Sequence, residues 1–166
     1  MNRKIREELL MEEMIKDLIQ NKLSITTAES CTGGWIASAI VDFPGVSEIF
    51  HEGYVTYSDE AKERLLGVSH ETIFNYGVVS EQTAREMAQG AARAAEADIA
   101  LSSTGVAGPG GGSKEHPVGE VYLGCYLKGR TKVVRMLGEG NRTEIRRQAV
   151  EQVFILLHEM LMEELS

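Results

Sequence analysis

The chain reads as a single-domain α/β protein over residues 1–166, a three-layer α/β/α sandwich around a mixed β-sheet. Three observations point there. Segments of helical periodicity alternate with short apolar runs of strand length. Near the C-terminal end, two strand-like runs are joined at Gly129-Arg130, a hairpin signal that adds antiparallel strands to an otherwise parallel arrangement. With 166 residues and 43% apolar side chains, there is enough material for one core and too little for two comfortable ones.

Taken in order, Ile5, Leu9, Leu10, Met14, Leu18 and Ile19 recur at helical steps with Glu and Lys between them, predicting an amphipathic helix from Ile5 to Gln20. The apolar run Leu23 to Ile25 predicts a strand. A turn through Gly33 and Gly34 then leads into a helix from Trp35 to Val41, and Asp42-Phe43-Pro44-Gly45 is a loop. His51 to Tyr57 has strand composition, Ser58-Asp59-Glu60 opens a helix to about Leu66, and Gly67 closes it. His70 to Tyr76 reads as irregular turns. Ser80 caps an Ala-rich helix from Glu81 to Glu96, and Ile99 to Ser102 is a buried strand. Gly105 to Pro117 is a glycine-rich loop. Gly119 to Lys128 and Thr131 to Leu137 are the hairpin strands, and Arg142 to Leu165 is a last helix that turns Ile145, Val150, Val153, Phe154, Leu157 and Leu161 inward.

Composition narrows the function classes. A formal charge of -8 disfavours nucleic acid and anionic membrane as partners. The charged N-terminus has no export signal, and no run approaches the roughly 18 apolar residues of a membrane span. Cys31 and Cys125 form no CxxC pair, which suits a reducing cytoplasm. His51, His70, His116 and His158 are scattered, so no metal site and no cofactor is expected. The acidic, Met-rich first and last helices would suit a homodimer interface.

The stretch from Thr26 to Trp35 is the natural place for chemistry. A strand that turns through glycines into a helix leaves backbone N–H groups converging on one spot, and Ser30 lies beside it. Ser30 is then either a nucleophile with an oxyanion hole or an ordinary helix N-cap, with Cys31 as a rival nucleophile. Tyr57 and Lys62 follow the next strand and can face the same sheet edge. A desolvated, neutral Lys62 could take the Ser30 proton, with Tyr57 relaying it or serving the leaving group; the competing reading is a solvated lysine and a half-buried tyrosine. Gly33 stands where a Ser-x-x-Lys motif needs lysine, and Ser113 before Lys114 breaks a P-loop. The backbone of the glycine loop could approach a ligand, and Arg142 and Arg146 at a helix start could hold a phosphate.

Several motifs in order resemble the C-terminal domain of the competence/damage-inducible protein family, whose stand-alone members are nicotinamide-nucleotide amidases. They are Thr27-Ala28-Glu29-Ser30-Cys31-Thr32-Gly33-Gly34, Tyr57-Ser58-x-Glu60-Ala61-Lys62, Gly77-Val78-Val79-Ser80, Thr104-Gly105-x-Ala107-Gly108-Pro109-Gly110-Gly111 and Arg142-x-x-x-Arg146. The resemblance covers Ile5 to Leu161. It implies metal-independent hydrolysis of the carboxamide of nicotinamide mononucleotide to nicotinate mononucleotide and ammonia, with Ser30 as nucleophile and Lys62 and Tyr57 assisting. It further implies substrate contacts from Cys31, Thr32, Gly33, Gly34, Thr104, Gly105, Gly108, Gly110, Arg142 and Arg146. Asp59 stands where the family usually has Asn, and Asn141 where Asp is common. A nucleotide-binding module with the same pocket and no turnover is the competing function.

Overall fold

In chain order, the elements are α1 (Arg3–Gln20), β1 (Ile25–Glu29), α2 (Trp35–Val41), a 3-10 turn (Val46–Glu48), β2 (Tyr54–Val55), α3 (Asp59–Leu66) and α4 (His70–Tyr76). They continue with α5 (Glu81–Ala94), β3 (Ile99–Gly105), β4 (Glu120–Leu127), β5 (Arg130–Leu137) and α6 (Arg142–Glu164). The computed structural model describes the backbone of residues 3–164 and the side chains of residues 10–164. The inward roles expected of Ile5 and Leu9, and the end of the last helix at Leu165, fall outside these.

The five strands form one mixed sheet in the order β2-β1-β3-β4-β5. β1 pairs in parallel with both β2 and β3, while β3-β4 and β4-β5 are antiparallel. Because successive strand residues face opposite sides, each face acquires its own core. Ile25, Ile99, Leu101, Val121, Leu123 and Leu127 pack against Met14, Ile15 and Leu18 of α1, Ile36 and Ile40 of α2, and Ile145, Val153 and Leu157 of α6. On the other face Ala28 and Ala100 meet Leu66, Val68, Met87 and Ala91. The residues there are small, so α5 lies close to the sheet and α3 lies close to α5. The fold is the expected α/β sandwich.

Several boundaries differ from the sequence reading for identifiable reasons. β1 starts at Ile25 and runs on to Glu29, because β3 pairs with it along that whole length and buries the polar Thr26, Thr27 and Glu29. Its neighbour β2 is only Tyr54–Val55 rather than His51 to Tyr57. Residues 51–53 do not pair with β1, and Gly53 lies against Thr27 and Phe50 so closely that a Cβ there would collide with Thr27 Oγ1. His70–Tyr76 is a helix, not irregular turns, with Glu86 of α5 accepting from Ser69 N–H at 2.7 Å and from Thr72 Oγ1 at 2.6 Å. β3 extends to Gly105 because β4 pairs with it along its whole length. The hairpin turns at Lys128-Gly129, one residue earlier than expected, with φ of 45° and 94° and Arg130 already paired with Leu127. In α1, Ile15 is buried while Leu10 is 37% exposed. Among the described residues, no helix is long and apolar enough to cross a membrane.

Gly90 in the middle of α5 shows how tightly α3 is seated. A Cβ at that position would overlap the backbone carbonyl oxygen of Leu66, which cannot swing away as a side chain can. Gly90→Ala should therefore destabilise the protein by about 1–3 kcal/mol, the usual cost of overpacking, against the gain of about 1 kcal/mol that alanine offers in an open helix. Urea unfolding of the variant measures the sign; a stability gain would mean that α3 yields freely.

Candidate active site

The carboxyl ends of the parallel strands β1, β2 and β3 lie at one edge of the sheet, and the strand order reverses at β1, with β2 on one side of it and β3 on the other. Such a reversal opens a crevice between strand ends. Ser30 follows β1 directly and is anchored by its N–H donating to Ser103 O at 2.9 Å. Gly33 and Gly34 then take positive φ values of 56° and 98°, which lets the backbone double back into α2.

Glu29, named in the sequence only as part of the first motif, organises this turn. Its side chain is fully buried at the amino end of α2. The carboxylate accepts from the N–H groups of Gly34 at 3.0 Å, Ile36 at 2.9 Å and Ala37 at 2.8 Å, and from Thr32 Oγ1 at 2.6 Å. A negative charge at a helix start is favourable both for the dipole and for the N–H groups that lack helical acceptors. Two expectations are corrected by it. Ser30 is not the N-cap of α2, since Gly34 holds that position, and the helix N–H groups do not converge on Ser30 because Glu29 holds them. The N–H groups of Cys31 and Thr32 are different: that of Thr32 donates to no acceptor among the described residues, and that of Cys31 meets only its own thiol. An acidic residue at a strand end ahead of a Gly-Gly turn was the available signal, but the capping patterns read from sequence look only three residues back.

Arg146 braces the same turn from α6. Its Nε donates to Cys31 O at 3.0 Å, its guanidinium donates to Thr32 O at 2.8 Å, and the group stacks 3.6 Å above the Trp35 ring. It is thus engaged with the backbone beside Ser30. Thr32 is buried, its hydroxyl shared between Glu29 and Ser103 Oγ at 2.6 Å.

Lys62 arrives from α3. Ser58 Oγ accepts from Ala61 N–H at 3.1 Å and starts that helix, which turns Lys62 inward. Only 2% of Lys62 is exposed. Its Nζ lies 3.2 Å from Ser30 Oγ and donates to Thr56 O at 2.9 Å. Burial pushes the amine below the ordinary lysine range, opposed by the nearby charges of Asp59 and, when ionised, Cys31. The Cys31 thiol moves the other way: burial raises it to about 11, so at neutral pH it is protonated and a poor nucleophile.

Tyr57 lies two residues beyond β2 and is 64% exposed. Its hydroxyl makes no hydrogen bond to Ser30 or Lys62; it accepts from an Arg142 nitrogen at 3.1 Å. The other Arg142 terminal nitrogen donates to Gly108 O at 2.8 Å, tying the glycine loop to α6. Ser30, Cys31, Lys62, Tyr57, Thr104, Gly105 and Arg142 line one cavity of about 200 Å³. Asp59, Val78, Val79 and Ala107 complete it and were not foreseen. Thr104 is oriented by donating from Oγ1 to Val78 O at 2.7 Å.

Thr32, Gly33, Gly34, Gly108, Gly110 and Arg146 lie outside the lining of that cavity. A second hollow of about 730 Å³ shares Ala107 and Arg142 with the first and is bordered by Arg147 and Asn141. A third, of about 650 Å³ between α1 and α6, contains no paired nucleophile and base.

The model of the CinA C-terminal domain matches residues 7–161. The chain belongs to that family. The CinA domain is 50% identical to a putative competence-damage inducible protein of Clostridium beijerinckii over 86% of this chain and 35% of the relative. It is 52% identical to a CinA-like protein of Kosmotoga olearia over 87% of this chain and 35% of the relative. The chain thus spans about a third of the length of these curated relatives. Among solved structures, a CinA superfamily protein of Escherichia coli superposes with a TM-score of 0.90 at 34% identity, covering 96% of this chain and 93% of that one. A competence/damage inducible protein of Agrobacterium tumefaciens does so with a TM-score of 0.88 at 42% identity, covering 92% and 94% respectively.

Within the CinA domain, Glu29→Gln replaces an acceptor-only group by one that turns an NH₂ toward N–H donors. The expected loss is about 2–4 kcal/mol of stability, from charge-assisted hydrogen bonds and an unsatisfied buried donor. Chemical denaturation measures it, and a loss below about 0.5 kcal/mol, the range of ordinary surface substitutions, would show that the turn does not depend on the carboxylate.

Proposed function

We propose that this CinA domain is a metal-independent amidase that hydrolyses the carboxamide of nicotinamide mononucleotide to nicotinate mononucleotide and ammonia. One observation carries the reading: a buried amine, depressed below its ordinary range, 3.2 Å from a serine hydroxyl in a cavity at the sheet's carboxyl edge. A neutral amine is what activates an alcohol, and burial is what makes a lysine neutral.

In this mechanism Lys62 takes the Ser30 proton as Oγ bonds to the carboxamide carbon. The carbonyl electron pair moves onto oxygen, toward the N–H groups of Cys31 and Thr32. Lys62 returns the proton to the amide nitrogen, the C–N bond breaks, and ammonia leaves a nicotinoyl ester on Ser30. Tyr57 accepts from Arg142 and so keeps its own O–H free to donate to the departing nitrogen. Water then attacks the ester carbon, giving one proton through Lys62 to Oγ as the C–O bond breaks; the acid so formed loses its remaining proton to solvent and leaves as the carboxylate. The small cavity suits the ring amide. The wider hollow beyond Arg142, with Arg147 on its border, suits the ribose and phosphate.

Ammonia release from nicotinamide mononucleotide, without added metal, tests the reaction. Ser30→Ala should lose at least about 10³-fold in kcat and Lys62→Met about 10²–10⁴-fold. Because the base works unprotonated, kcat/KM should rise with pH along a limb whose midpoint lies below the ordinary lysine value of 10.5. Alkylating agents should leave turnover intact, given the protonated, buried Cys31 thiol. Saturable binding with no ammonia would make the pocket a binding module instead.

The two family arginines should separate in the same assay. Arg142→Ala should raise KM for the mononucleotide by about tenfold or more, the scale of a charge-assisted phosphate contact, with a much smaller effect on the phosphate-free riboside. Arg146→Ala should lower the melting temperature and kcat instead, since its partners are the carbonyls beside Ser30. Equal KM effects on both substrates would remove Arg142 from phosphate binding.

A further inference from the structure

Most polar side chains around the small cavity are already engaged with the protein. Lys62 meets Ser30 Oγ and Thr56 O, Thr104 donates to Val78 O, and Arg142 holds Gly108 O and Tyr57. Asp59 is the exception. It lines the cavity from the first turn of α3, its side chain is exposed, and its carboxylate makes no hydrogen bond or ion pair with any described residue. Helix α3 does not need it as a cap, since Ser58 Oγ already accepts from Ala61 N–H at 3.1 Å.

An acidic group that caps nothing and pairs with nothing still acts on whatever enters beside it. Its charge acts on Lys62, and burial outweighs it in pushing that amine below the ordinary lysine range. Once Lys62 is neutral, the cavity holds two opposite charges at different places: Asp59 on the first turn of α3, and Arg142 at the junction with the wider hollow, whose bonds to Gly108 O and Tyr57 leave its positive charge in place. The cavity is therefore negative on its α3 side and positive at Arg142, and the wider hollow beyond carries Arg142 and Arg147 against the single carboxylate of Glu144, which accepts from Asn141 N–H. That polarity matches a ligand with a cationic ring and an anionic tail.

We propose that Asp59 is a specificity residue that selects an amide carried on a positively charged aromatic ring over a neutral-ring amide of the same size. The inference rests on the amidase reading above and identifies the charge class of its substrate. A pyridinium ring fits it: the charge is permanent, it lies on the ring bearing the carboxamide, and it is lost when the ring is reduced.

Calorimetric titration tests this with two nucleotides that share carboxamide, ribose and phosphate. They are nicotinamide mononucleotide, with its cationic ring, and its reduced dihydro form, with a neutral one. The Ser30→Ala background prevents turnover during the measurement. With Asp59 present, the cationic form should bind tighter. In Asp59→Asn the ratio of the two affinities should fall about fivefold, the upper range for an exposed charge pair, and Asp59→Glu should retain the preference. Raising the salt concentration should narrow the ratio in the Asp59 protein and much less in Asp59→Asn. An identical ratio in Asp59→Asn and the Asp59 protein, with both nucleotides bound, overturns the role of Asp59 and leaves the amidase reading standing. Failure of the Asp59 protein to bind either nucleotide overturns the parent reading and this inference together.

Discussion

An ammonium group removed from water needs an acceptor for each of its three N–H bonds, or it must give up a proton. Lys62 has Ser30 Oγ and Thr56 O within reach and no third partner among the described residues. That arrangement suits a neutral amine, which has two hydrogens to donate and one lone pair to offer. Lys62 Nζ stays within 3.2 Å of the Ser30 hydroxyl only while α3 stays pressed into α5 and the turn after β1 keeps its shape. Most of the architecture near the sheet edge can be understood as holding those two positions.

On the α3 side the constraint is steric. Alanines and glycine on the facing surface of α5 let the end of α3 sit against backbone, with Gly90 directly beneath the Leu66 carbonyl. Rigid contacts of this kind leave a buried side chain few alternative placements. On the Ser30 side the constraint is electrostatic. Glu29 gathers the first N–H groups of α2 from below, while Arg146 grips the carbonyls of Cys31 and Thr32 from above. Opposite charges thus hold opposite backbone polarities of one turn, and Ser30 projects between them. The same division explains why Thr32, Gly33 and Arg146 belong to the family's motifs without lining the cavity: their contribution is the shape of the backbone that carries the hydroxyl.

The small cavity and the wider hollow meet at Arg142, which spans the glycine loop and Tyr57. The loop therefore has a defined attachment to α6 even though much of its length is exposed. A ligand that spans both compartments must pass this bridge. Arg142 is consequently the residue that ties the glycine loop and Tyr57 to the last helix.

Element types and their order could be read from periodicity, from Ser58 and Ser80 as caps, and from Gly67 as a helix stop, because these signals come from residues within a turn or two of each other. Ser30, Lys62 and Tyr57 could be nominated for the same reason, since each follows a strand. The helicity of His70–Tyr76 and the role of Glu29 could not be read, because each depends on a neighbour brought in by folding: Glu86 and the start of α2. Arg146 makes the point most plainly. Its place at a helix start is written locally, yet its partners lie 114 and 115 residues earlier in the chain. Hydrogen bonds over such separations exist only once the sheet has set the strand order, so it is the packing of the layers that assigns one arginine to the backbone and leaves the other facing the cavity.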